Sequence, residues 1–262
     1  MAKNKQGLKK ELLYDLYWNQ NLSPYKIGDM FGCSFSTITN RFKEFGIPFK
    51  NQSLARQKYP KQDFSGNSCE KAYMLGFRIG DLNVYKTSKK SEFIIVRCHT
   101  TCKDQLDLIE DLFEKYGKVT ISQSGHINCC LNNSFDFLVE KYGKYQNLNR
   151  KEEIFSFIAG YIDAEGYFGL NQGKARLKVD SHDSEVLNWM SKKLELFGIR
   201  NKLKAISICD TKRSFGKELW RLNVNWAKDL LHLINCLKPY ARHARRISQM
   251  KKCENNILER MK

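Results

Sequence analysis

One stretch of this chain is written twice. Tyr73-Met-Leu-Gly-Phe-Arg-Ile-Gly-Asp-Leu-Asn-Val84 returns 84 residues later as Phe157-Ile-Ala-Gly-Tyr-Ile-Asp-Ala-Glu-Gly-Tyr-Phe168, so that Gly76 matches Gly160, Gly80 matches Ala164, Phe77 matches Tyr161 and Asp81 matches Glu165. Each copy reads as a short apolar helix that ends at an acid and runs into a strand. Small residues four apart stack on one helical face and let another backbone approach. The natural partner is the other copy. Two such helices packed about a pseudo-twofold axis bring Asp81 and Glu165 together, and like charges held that close call for a cation between them or a proton on one. A divalent metal is the expectation.

The repetition extends past the motif. Alternation over 83–87 and 92–99 reads as a hairpin, 104–116 as a helix, 118–122 with 126–131 as a second hairpin, and 134–142 as a closing helix. The second half repeats this order: a hairpin over 167–170 and 175–180, a helix over 184–197, a hairpin over 203–209 and 219–225, and a helix over 227–237. The fold class is therefore α+β: a pseudo-twofold pair of αββαββα halves whose two antiparallel sheets form a saddle. One face of each sheet must cover helices, and alternation sends the rest outward. That open set includes Asn83, Tyr85, Lys86, Arg97, Asn171, Lys174, Arg176, Lys178, Arg221 and Asn223. The basic loop 210–217 adds Lys212 and Arg213.

Upstream, Leu12, Leu13, Leu16 and Tyr17 suggest a first helix. Ser23 can cap a second with Pro24 at its first position, Gly32 supplies a turn, and Ser34 caps a third that carries Ile38, Phe42 and Phe45 inward. This segment resembles a helix-turn-helix DNA-binding unit, with Ser36, Thr37, Asn40, Arg41 and Lys43 on the reading face. Residues 1–60 hold 10 Lys and Arg against 4 acids, a net of +6. The organisation expected is a helix-turn-helix domain over 1–50, a basic linker over 51–70, and two halves over 71–150 and 151–262, the last ending in a basic helix.

The whole chain carries +17, with a pI near 9.4. Such a balance suits a polyanion, because neutralising phosphates releases counterions. Nine cysteines, an odd number without a secretion signal, read as free thiols. Cys98, His99, Cys102, His126, Cys129 and Cys130 lack a Cys-x-x-Cys pair, so the residues favour buried thiols over zinc. No apolar run has the length of a membrane span, and the start lacks a signal peptide's apolar core. A cytoplasmic or organellar location, not secretion, is expected.

Ile158-Ala-Gly-Tyr-Ile-Asp-Ala-Glu-Gly166 resembles the nine-residue signature of the LAGLIDADG homing endonucleases, and Met74-Leu-Gly-Phe-Arg-Ile-Gly-Asp-Leu82 a degenerate first copy. The first copy departs at its sixth position, Ile79, and its ninth, Leu82. The resemblance makes the eighth-position acids Asp81 and Glu165 metal-binding and catalytic. It implies a monomer that hydrolyses one phosphodiester in each strand of a long, asymmetric double-stranded DNA site and leaves staggered ends. Mg²⁺ is the implied cofactor, with Mn²⁺ able to substitute and Ca²⁺ binding without cleavage. It further implies polar and basic residues around the acids: His182, with Thr101 in the first half, and a cation from Arg242, Arg245 or Arg246, with Arg150 in the first half. Two alternatives stay open, an intron maturase binding intron RNA and a transcription regulator on a LAGLIDADG-like fold.

Overall fold

The computed structural model describes residues 8–50, 59–207 and 218–262, which form two compact units: the chain to Pro60 with Lys90–Glu92, and the remainder. The first unit is helical. Helix α1, Lys10–Tyr14, widens into a π turn over Asp15–Asn19; α2 spans Pro24–Phe31 and α3 Phe35–Glu44. Both expected caps form, the Ser23 and Ser34 hydroxyls accepting from the backbone N–H of Lys26 and Thr37. Gly32 takes the left-handed conformation, φ 61°, that the turn between α2 and α3 needs. Leu13, Leu16, Tyr17, Ile27, Ile38, Phe42 and Ile47 make the core, whereas Leu12 faces outward.

The second unit is built on two long helices. Helix α4, Ser68–Gly80, and α6, Lys151–Glu165, pack side by side along their length, and every residue from Ala72 to Ile79 and from Ile154 to Asp163 is buried. Each is followed by the same five elements, two strands, a helix and two strands. After α4 come β1 (Asn83–Tyr85), β2 (Phe93–His99), α5 (Lys103–Phe113), β3 (Val119–Ile121) and β4 (His126–Asn132). After α6 come β5 (Gly166–Asn171), β6 (Lys174–Ser181), α7 (Ser184–Leu196), β7 (Lys202–Ser207), β8 (Leu219–Val224) and α8 (Ala227–Leu237), and α9, Ala244–Met261, ends the chain. The antiparallel sheets have matching orders, β1-β2-β4-β3 and β5-β6-β8-β7. Alternate strand residues, among them Val84, Val96, Cys129, Phe168, Leu177 and Val179, turn into the one core that the helices share.

Three details differ from expectation. Residues 134–142 do not form an α-helix: a 3₁₀ segment runs from Asn133 to Leu138, started by the Asn132 side chain accepting from Ser134. Phe135, Phe137 and Leu138 are all buried, a spacing that an amphipathic α-helix cannot bury on one face. Residues 61–67 are not linker either. Gln62 and Phe64 donate backbone hydrogen bonds to Tyr116 O and Ser134 Oγ, and the Phe64 ring packs among Tyr116, Phe135 and Phe137. The expected linker residues 51–58 lie outside the described ones. Finally, the break after the first motif is held by Arg78, whose buried guanidinium donates to the carbonyls of Leu82, Val84 and Leu138. These bonds hold the turn at Leu82, which stands where the second copy has Gly166; Gly166 passes directly from α6 into β5 with the side of Ile162 pressed against it.

Candidate functional site

The helices α4 and α6 meet through their small residues. A Cβ on Gly80 would lie 2.4 Å from the Ala164 methyl and 3.1 Å from Glu165 Cγ, so the two helix ends that carry Asp81 and Glu165 are in contact. Asp81 follows the last residue of α4, and Glu165 is the last of α6. Burial lifts the Asp81 carboxyl to about 6, with the Arg246 charge working the other way. Burial, then the charges of Asp81 and Asp183, lift Glu165 to about 7 against the pull of Lys141 and Arg246. The direction is the one two apposed, desolvated carboxylates require.

The neighbours of the two acids are unlike. Asp81 Oδ2 accepts from Gln105 Nε2 at 2.7 Å; Gln105 in turn accepts from the Thr100 hydroxyl at 2.7 Å, so α5 and the end of β2 fix the carboxylate. On the Glu165 side Asp183 accepts from the Tyr142 hydroxyl at 2.7 Å and pairs with Lys141 at 3.5 Å. Arg246, near the start of α9, is drawn inward; its Nε is buried without a hydrogen-bond partner and its charge reaches Asp81, Glu165 and Asp163.

Gln105 and Lys141 were not singled out from sequence. Gln105 sits in the first turn of an otherwise periodic helix, and Lys141 in an irregular segment, so neither has a local signature. Of the residues expected there, Arg246 lies beside both acids. His182 is exposed, its Nδ1 bonded to the Glu218 carbonyl at 2.9 Å, and it lines a cavity of about 320 Å³ with Tyr142, Asp183, Ser184 and Glu185. Thr101 is exposed, and Arg150 pairs with Glu152 and Glu153 on its own helix. Arg242 lies over the Tyr73 ring, 4.8 Å from its centre, with Glu70 at 3.8 Å, and Arg245 is exposed.

Asp163 plays a different part. Its Oδ2 accepts from the Tyr73 hydroxyl at 2.7 Å and from the backbone N–H of Arg242 and His243 at 2.7 and 3.0 Å, joining α4, α6 and the start of α9. The pseudo-twofold counterparts of Tyr73 and Asp163 are Phe157 and Ile79, so hydroxyl and acid are lost together in the other half.

On the outward sheet faces Asn83, Arg97, Asn171 and Lys174 are exposed, while Tyr85, Arg176, Lys178 and Arg221 are partly covered; Lys86, expected among them, lies past the end of β1 and pairs with Asp136 at 2.6 Å. Asn223 corrects the expectation of an open side chain: it shares the row of Lys178 and Lys202 but is only 8% exposed. Lys212 and Arg213 lie outside the described residues. Beside Asp81 a cavity of about 440 Å³ opens between Asn83, Arg97, His99, His126 and Asn128. His99 and His126 stack on this face while Cys98 and Cys129 point into the core, so the thiols and imidazoles do not converge. In the helical unit Ser36, Asn40 and Lys43 are exposed, Thr37 is tied to the Ser34 cap and Arg41 pairs with Glu44 at 2.6 Å.

The sequence of residues 152–235 matches the LAGLIDADG-like domain family. No curated protein matches the chain. Among solved structures, the chain is similar to I-DmoI in complex with DNA and Mn, at 19% identity over 65% of this chain and 97% of that one, with a TM-score of 0.45. It is also similar to full-length DUF199/WhiA from Thermatoga maritima, at 16% identity over 76% of this chain and 63% of that one, with a TM-score of 0.47.

Proposed function

We propose that this chain is a site-specific double-strand DNA endonuclease of the homing type, acting as a monomer with a divalent metal and leaving staggered ends. One observation carries the reading: Asp81 and Glu165, on two helices in backbone contact, are half-buried and close enough that the Asp81 charge opposes the ionisation of Glu165, and basic sheet faces flank them. A structural pair of this kind would be costly without a role, since burying one charge beside another destabilises the fold.

The donor set suits Mg²⁺. Both carboxylates are hard oxygen ligands, and Mg²⁺ characteristically takes one or two of these and completes its shell with waters and substrate phosphates. Among the described residues no third His, Cys, Asp or Glu joins them, which fits a site completed by substrate. A bound Mg²⁺ supplies polarisation of the scissile phosphate and a more acidic water. The protein's own groups do the rest. Gln105 holds Asp81 in one orientation; Arg246 and Lys141 place positive charge where the pentavalent phosphate accumulates negative charge. Asn83, Tyr85, Arg97, Asn171, Lys174, Arg176, Lys178 and Arg221 belong to the faces that would meet phosphates and base edges. Because the halves differ at nearly every such position, the target is asymmetric. The helical unit extends the footprint through α3.

The test is incubation with a library of DNA duplexes and Mg²⁺, read by sequencing the ends. Paired breaks at one sequence support the nuclease; binding to one sequence without breaks would replace it with a regulator, and selective binding of structured RNA alone with a maturase.

A further inference from the structure

The cross-strand registers equate the two sheets position by position. Asn83 faces Arg97 and Arg97 faces Asn128 in the first; Tyr167 faces Lys178 and Lys178 faces Asn223 in the second. Two residues further along the strands, on the same outward face, His99 faces His126 and Asp180 faces Arg221. Position is preserved and chemistry is exchanged.

In the first sheet the histidine rings stack with centroids 4.2 Å apart, and Arg97 has no acidic partner among the described residues, lying over the Tyr85 ring at 5.4 Å. In the second sheet Asp180 accepts from Arg221 Nε at 2.6 Å and Nη2 at 2.7 Å, and pairs with Lys178 Nζ at 3.2 Å. One carboxylate therefore holds two cations, one of them the counterpart of the free Arg97. Partly exposed ion pairs add little stability. On a face that would meet phosphates an acid is also a repulsive element, and such elements discriminate between partners.

We propose that Asp180 is a specificity-determining residue of the second half: it withholds Lys178 and Arg221 from the phosphates of an arbitrary duplex and gives them up where a base offers an amino group to its carboxylate. Cytosine N4 and adenine N6 are the groups in the major groove that can do so. The first half, with Arg97 unclaimed, supplies affinity; the second supplies selection. This rests on the DNA-reading role proposed above.

The experiment compares the full chain with its Asp180→Asn variant in Ca²⁺. Affinity for a random-sequence duplex is followed between about 50 and 200 mM salt, and preferred sequences are selected from a randomised duplex pool. Asp180→Asn keeps the shape and removes the charge, so random duplex should bind at least about tenfold tighter, with a log–log salt slope steeper by about one to two, each freed cation adding about 0.9. The selected sequences should lose preference in the second half-site alone. The reciprocal His99→Asp variant, which installs an acid beside Arg97, should bind random duplex more weakly and with a shallower slope. If the native chain binds a preferred duplex while both variants keep its slope and its selected sequences, the role of Asp180 is overturned and the DNA-binding reading stands. Failure of the native chain to bind any duplex would overturn both.

Discussion

Gly76 and Gly160 each lie against the backbone of the other's helix: a Cβ on Gly76 would sit 2.1 Å from the Phe157 carbonyl oxygen, and one on Gly160 2.1 Å from that of Tyr73. The two contacts are the same contact, read from either side of the pseudo-twofold axis. Backbone cannot yield as a flexible side chain can, so Gly76→Ala or Gly160→Ala must push the helices apart through the centre of the shared core. Either change should cost about 1–3 kcal/mol or more in urea unfolding, the range of overpacking in a close-packed interior. Gly80→Ala meets the Ala164 methyl instead, and exchanging the pair by adding Ala164→Gly should recover much of that variant's lost stability.

The acids should separate chemistry from binding. Asp81→Asn or Glu165→Gln is expected to abolish double-strand cutting while leaving the affinity for the target in Ca²⁺ within a few fold, as measured by gel shift. Unchanged cutting by either variant would remove that residue from the mechanism.

The same carboxylates predict a pH dependence of stability. Folded, they release protons near pH 6 and 7; unfolded, near 4. Between those limits the native state holds more protons, so without metal their contribution is fully present below about pH 4 and is lost as pH rises through about 7. Glu165→Gln, which cannot ionise, should therefore be more stable than the native chain at pH 8, by on the order of 1–2 kcal/mol, with little difference at pH 4. Added Ca²⁺ should raise the melting temperature of the native chain at pH 8 and leave the variant nearly unmoved.

Much of this was legible in the sequence because the duplication keeps register. The helix pair, the two acids, both sheets and the Ser23 and Ser34 caps depend on spacing within a segment or between its two copies. What escaped depends on partners far apart in the chain. Gln105 and Asp81 meet only because β2 returns the chain to the helix end, and which of the expected Arg242, Arg245 and Arg246 turns inward is decided by α9 starting against Asp163. Alternation put Lys178 and Arg221 on the outward face correctly, but it is blind to Asp180 between them. Phe64 sits in a polar run without a period, the pattern of a linker; one aromatic ring in a pocket of three others gives no periodic signal.

Asp163 should prove structural. Tyr73→Phe removes one of three hydrogen bonds to its Oδ2 and should cost about 1–2 kcal/mol, whereas Asp163→Ala strands the Tyr73 hydroxyl and two backbone donors and should cost about 2–4 kcal/mol. Tyr73→Phe should still cut at near the native rate at a temperature where it stays folded. A rate loss larger than the unfolded fraction accounts for would instead put this pair in the chemistry.

The last prediction concerns α3. Of the five side chains proposed to read DNA there, Thr37 serves the helix cap and Arg41 is held by Glu44, leaving Ser36, Asn40 and Lys43, spaced four and three apart and so on one face opposite Ile38 and Phe42. Asn is a bidentate reader of adenine, while Lys contributes as a point charge on phosphate. Asn40→Ala should therefore relax sequence preference at one position of the extended site by about 1–3 kcal/mol, and Lys43→Ala should weaken all duplexes alike and lower the salt slope by about one. Arg41→Ala, whose partner is already within the helix, should change neither. Footprinting with each variant, beside a chain lacking residues 1–50, measures this directly: the truncated chain should protect a shorter stretch. An identical footprint would mean that the helices before Pro48 do not read the target at all.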